Sequence, residues 1–143
     1  MRTSAGRLAH AESRTAAETT LRRWLFLDAG AAAAAAVLMS IAGPYLAQPF
    51  GVSARLLLAL AVVNALYGCG SGLLARSPVP SLPRVRLLIA ANFAWTGVCV
   101  VMAARVWADA SWLGVAYLLG EGMFVGALAT FEARALAGAQ RSG

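Results

Sequence analysis

The chain carries six acidic residues, and three of them, Asp28, Glu121 and Glu132, fall inside or at the ends of long apolar runs. A carboxyl group in hydrocarbon is costly, and such groups mark proton or cation pathways, ligand sites or buried pairs. Asp28 lies one turn inside the first run. Glu121 lies near the middle of the fourth, between Gly120 and Gly122, with Tyr117 one turn away. Glu132 follows eleven residues later, close to three helical turns, so both glutamates belong to one face. The expected partners of Asp28 are Arg22, Arg23 or Arg134 at the cytoplasmic interface, where Glu132 would join the same salt-bridge cluster. Glu121 is expected to hydrogen-bond to Asn64 or Asn92, or to carry a proton or cation.

Two amides complete the polar set. Asn64 lies in the second run, with Tyr67, Gly68 and Ser71 on its helical face. Asn92 lies in the third, with Trp95, Thr96 and Cys99 on the corresponding face. Asn64-Ala-Leu-Tyr67-Gly68 and Asn92-Phe-Ala-Trp95-Thr96 share an Asn two residues before an aromatic, as a short inverted repeat or a chance match in apolar sequence. Either way, each Asn is expected to bond across helices, at about 0.6 kcal/mol on average.

Other chemistries lack their residues. The one histidine, His10, lies in the polar N-terminal segment, so neither a Ser/His/Asp set nor paired histidine ligands for haem can form within the spans. No metal-ligand spacing and no glycine-rich phosphate loop is present. Cys69 and Cys99 stand in separate apolar runs and read as small buried packing residues, with a helix-to-helix disulfide as the alternative. The sequence therefore nominates no catalytic residue, cofactor or metal, and nothing in it argues for an enzyme.

These side chains need a scaffold, and composition names its solvent. The 143 residues are 60% hydrophobic and 13% charged, against about 45–50% apolar and about 25% charged in soluble domains. An all-α, polytopic membrane protein follows. Its four spans fall at about 24–43, 56–75, 87–104 and 112–131, each near the roughly 20 residues that cross a bilayer. Residues 1–23 form a basic tail, with 9–24 able to be helical on the membrane surface, and 138–143 a short C-terminal tail. The first run is too long for a signal-peptide core and is expected to stay uncleaved. Pro44 is expected to end it, opening a turn-rich loop over 44–53. Pro78, Pro80 and Pro83 separate the second and third spans.

All twelve basic residues are arginine. With the N-terminus inside, ten lie on the cytoplasmic side and only Arg55 and Arg105 outside, so both termini are expected to be cytoplasmic. Trp24 would sit at the inner interface, and Trp107 and Trp112 at the outer one. Basic residues scattered between apolar runs give no nucleic-acid surface. Arginine, alanine and glycine richness suits a GC-rich bacterial genome and hence a bacterial cytoplasmic membrane. Short loops predict antiparallel neighbours in a four-helix bundle, with Gly68-x-x-x-Gly72 and Gly122-x-x-x-Gly126 as points of close helix contact.

Leu27-Asp28-Ala29, Asn92-Phe-Ala-Trp95 and Phe131-Glu132-Ala-Arg-Ala-Leu136 resemble segments of a group of small, uncharacterised bacterial four-helix integral membrane proteins, over most of residues 24–137. The resemblance implies architecture and no activity. It also implies Gln at the position of Glu121, so that a charge there is not essential. The chain does not resemble small multidrug transporters, whose Glu stands in the first helix, or membrane thiol oxidoreductases, which need paired cysteines. Two functions suit this set of residues. One is a small bundle that binds a partner protein or a lipophilic ligand, with Asp28, Asn64, Asn92, Trp95, Glu121 and Glu132 in its interior and Tyr67 and Tyr117 beside them. The other is a proton- or cation-coupled transporter working as a homodimer through Glu121.

Overall fold

Within hydrocarbon a chain must satisfy its own backbone hydrogen bonds, and a helix does so segment by segment. In the computed structural model, the chain forms α1 (Ser4–Phe50), α2 (Ala54–Arg76), α3 (Leu82–Val106) and α4 (Trp112–Arg141). The structure describes residues 4–78 and 81–141, with side chains over 15–78 and 81–140. Arg2 and Pro80, and the side chains of Arg7, His10, Arg14 and Arg141, lie outside the described residues. Each of the four helices is long and apolar enough to cross a membrane, the architecture of a multi-pass membrane protein.

The first helix corrects the expectation placed on Pro44. Pro44 and Pro49 both lie inside α1, which runs on to Phe50. Proline removes one donor and crowds the preceding turn, but other contacts hold the end of this helix. Gly51 takes a φ of +66°, which costs glycine little because it has no Cβ. There Gly51 N–H donates to Gln48 O and Val52 N–H to Ala47 O, each at 3.1 Å, the paired bonds that close a helix C-terminus. The start of α4 satisfies the remaining carbonyls. Ser111 N–H donates to Phe50 O at 3.0 Å, and the Ser111 hydroxyl donates to Pro49 O. The same hydroxyl accepts Gly114 N–H at 3.2 Å. A Cβ on Gly51 would meet Ser111 N and one on Gly114 would meet Phe50 O. A tertiary junction, rather than the prolines, therefore decides where α1 stops.

The other boundaries have local causes. Ser53 caps α2, its hydroxyl accepting Leu56 N–H at 3.2 Å. At the far end of α2, Arg22 of α1 donates to Ala75 O at 3.4 Å and to Pro78 O, covering carbonyls that the helix leaves free. Pro83 occupies the first turn of α3, where its missing N–H costs nothing.

Around the bundle the order is α2, α1, α4, α3. α1 packs along both α2 and α4, α3 packs on α4, and α2 and α3 touch at few points. Consecutive helices thus adjoin, but α2 and α3 do so with a gap between them rather than along their length. Glycine sets the close pairs. A Cβ on Gly68 would come within 3.2 Å of Ala29 O and 3.3 Å of Ala33 N, so α1 and α2 approach backbone to backbone. On the other side, Gly122 faces Cys99 and Gly126 faces Thr96. Two apolar clusters form the core. Leu21, Leu25, Ala75, Val85, Ile89, Ala129 and Leu136 make one; Met39, Leu57, Leu60, Ala61, Ala103, Val115 and Leu118 make the other. The polar residues of α1, α2 and α3 fall between the two clusters. Leu66, Leu73, Leu87, Ile41 and Met123 point outward.

Candidate functional site

Because α2 and α3 stand apart, space remains between the helices. A cavity of about 210 Å³ is lined from all four, by Asp28, Ala31, Ala32 and Ala35 of α1, Val63, Asn64 and Tyr67 of α2, Ala91, Asn92 and Trp95 of α3, and Glu121, Phe124, Val125 and Leu128 of α4. The alanine run at 31–36 helps to make this space, since three of its members put only a methyl group on the wall. Six of the eight residues singled out from sequence line the cavity. Tyr117 lies beside Glu121, and Glu132 beside Asp28.

Glu121 ties three helices together. Its Oε1 accepts the Trp95 indole N–H at 3.1 Å and the Asn64 amide at 3.2 Å. The Asn64 amide also donates to Leu60 O at 3.0 Å. Both protein donors therefore converge on Oε1, and the buried Oε2 has no hydrogen-bond partner in the protein. α4 is braced in this way to α2 and α3 across the gap where those two do not pack on each other. Asn92, the other expected partner, turns instead to Glu132, donating to Oε2 at 3.5 Å.

Asp28 and Glu132 correct the expectation of an interfacial salt-bridge cluster. Asp28 is 2% exposed and Glu132 fully buried. Asp28 is surrounded by Tyr67, Ser71 and Asn92, with Glu132 nearby. Arg22 is committed to the end of α2, and Arg23 and Arg134 are exposed. Asp28 Oδ2, Glu132 Oε1 and the hydroxyls of Tyr67 and Tyr117 also have no hydrogen-bond partner. Buried polar atoms are normally paired, and each exception calls for an explanation. Here five exceptions cluster on one interior, and the two hydroxyls among them stand beside acids, Tyr67 next to Asp28 and Tyr117 next to Glu121.

The cysteines divide. Cys99 is buried, as expected, but Cys69 is exposed on the outer face of α2, and both are free thiols. Sequence reasoning gave no site role to Ser71 or Thr96, although both connect helices. The Ser71 hydroxyl donates to Leu25 O at 3.0 Å, and the Thr96 hydroxyl reaches Gly122 O at 3.1 Å and Asn92 O at 3.0 Å. Their places on the Asn64 and Asn92 faces were the available signal.

A second hollow, of about 500 Å³, runs between α2 and α3 and is lined by Tyr67, Gly70, Leu73, Leu74, Ser77, Ser81, Arg84, Leu87, Leu88 and Ala91. Tyr67 and Ala91 border both spaces. Trp24 stacks on Phe131 with centroids 4.7 Å apart, and Phe50 on Tyr117 at 5.4 Å, closing other seams of the bundle. Comparison with protein-family models, with curated proteins and with solved structures finds no match to this chain.

Proposed function

We propose that the chain is an antiparallel four-helix bundle of the bacterial cytoplasmic membrane, with both termini cytoplasmic, that binds a small lipophilic molecule in its central cavity. One observation carries this proposal: an interior lined mainly by apolar side chains holds buried oxygens without partners, among them Glu121 Oε2 and Asp28 Oδ2. Ligand sites combine apolar walls with a few placed polar groups in this manner. The size suits a small occupant, since an apolar cavity of about 150 Å³ accepts benzene. The hollow between α2 and α3 offers a lateral route from the bilayer, with Tyr67 at the boundary between the two spaces. A lipophilic ligand would thus enter from the membrane rather than from water.

Native mass spectrometry of the protein released from a mild detergent tests the proposal. The expected result is a chain carrying a defined additional mass that is lost on Glu121→Leu. A bundle that retains no molecule, and that takes up none when small lipophilic compounds are offered, would overturn it.

Glu121 also supports a second function. Its Oε1 is engaged by two donors while Oε2 is not, so one oxygen is positioned and the other available to a proton or cation. Two copies working as a transporter through Glu121 would need that oxygen. A ligand-free dimer in the same spectra would favour this function, and proton-coupled flux in liposomes that survives Glu121→Gln would remove it.

A further inference from the structure

We propose that the molecule held in the cavity is a small organic cation, an ammonium group on an apolar body, which rests on the binding function proposed above. The cavity has two carboxyl groups on its wall, Asp28 and Glu121, and among the described residues no arginine, lysine or histidine lines it. Asp28 is 2% exposed and keeps Oδ2 unpartnered, and Glu121 keeps Oε2 unpartnered. A third acid, Glu132, stands beside Asp28. Buried carboxylates are held by a counter-charge or by hydrogen bonds; here the wall holds no counter-charge among the described residues, and the donors beside the acids are neutral, Tyr67, Ser71 and Asn92 near Asp28 and Tyr117 near Glu121.

The ligand chemistry follows by elimination. An anion would meet carboxyl groups on the wall with no cation to offset them. A hydrocarbon would fill the space and bring neither charge nor donor to either acid. A neutral alcohol would bring one donor and no charge. An ammonium group brings several donors and the missing positive charge. The walls favour it further, because Trp95, Tyr67 and Phe124 surround the cavity and aromatic faces attract cations. The two carboxyl positions also bracket the size. Glu121 is held by Asn64, while Asp28 lies beside Tyr67 and Ser71, one to two helical turns further along α2, about 5–10 Å at about 1.5 Å per residue. A single-ring amine spans that interval with its charged end at either acid.

Isothermal titration of the full chain in mild detergent with benzylammonium, benzyl alcohol and toluene tests this. The three probes share a ring and differ in charge and donors. Benzylammonium is expected to bind at least tenfold more tightly than either neutral probe, and Asp28→Asn combined with Glu121→Gln is expected to erase that preference. Equal or tighter binding of toluene or benzyl alcohol would overturn the cation while leaving the cavity's binding function intact. Binding of none of the three would overturn both. If the double variant does not fold, the probe series on the unaltered chain still decides, and Glu121→Gln alone, which keeps an oxygen acceptor for Asn64 and Trp95, supplies the variant arm. A folded double variant with undiminished preference would also overturn the proposal.

Discussion

Glu121 and the Asp28–Glu132 pair use the same functional group in the same bundle, yet they are held differently. Glu121 is half-buried and receives two neutral donors, from α2 and α3, on one oxygen. Asp28 and Glu132 are buried deeper, share Asn92 between them and stand next to each other. The first arrangement is a brace: it fixes a carboxyl group by joining elements that otherwise barely touch. The second is an enclosure: α1 and α2 approach backbone to backbone at Gly68, against Ala29 beside Asp28, and both acids lie buried among the packed helices. An intramembrane acid can thus be positioned by its donors or by the backbone around it, and the two should fail in different ways.

The largest effect is expected where the enclosure depends on backbone contact. Gly68→Val would drive side-chain atoms against Ala29 O and Ala33 N, and overpacking of this kind costs about 1–3 kcal/mol. Gly122→Ala meets the Cβ of Cys99 at 3.0 Å instead, so Cys99→Gly should restore it, whereas no single side-chain trimming should restore Gly68→Val. Reversible unfolding in mixed micelles measures both. Equal cost and equal rescue at the two glycines would show that the backbone contact at Gly68 yields as readily as the side-chain contact at Gly122.

Next comes the brace itself. Glu121→Leu leaves the Trp95 indole and the Asn64 amide without their shared acceptor, and a buried donor left unpaired costs about 1–3 kcal/mol. Glu121→Gln keeps an acceptor oxygen and should stay close to the unaltered protein in the same assay. A fully stable Glu121→Leu would mean that this face needs no polar partner. A smaller effect separates the two amides. Double-mutant cycles should give a coupling for Asn64–Glu121 at or above the roughly 0.6 kcal/mol average for interhelical bonds in membranes. The coupling for Asn92–Glu132, whose bond is longer at 3.5 Å against 3.2 Å, should fall below the first.

The smallest perturbation uses the native thiols. Cys69 faces outward on α2, while Cys99 is buried next to Gly122. A maleimide that partitions into the micelle should modify Cys69 in the folded protein and reach Cys99 only after unfolding. Mass spectrometry of the labelled chain reads this directly, and early modification of Cys99 would show that α3 and α4 separate more readily than their packing implies.

The sequence determined the solvent and the elements. Four apolar stretches of spanning length, with every arginine kept to their flanks, leave a chain few options but helices in hydrocarbon. The periodicity of Asn64, Asn92, Glu121 and Glu132 placed them on helix faces that do turn inward. Tertiary structure decided what could not be read along one dimension. It carried α1 through two prolines because Ser111, 62 residues beyond Pro49, satisfies its last carbonyls. It turned Asp28 and Glu132 toward each other rather than toward arginine, because Arg22 is the donor that reaches the end of α2. It left a gap between α2 and α3, beside a cavity lined from all four helices, because their contacts with α1 and α4, set by small residues, leave them apart. Periodicity fixes which side of a helix a residue occupies; only packing fixes what stands opposite, since apolar residues surround every span and nearest neighbours in the chain need not be nearest neighbours in space.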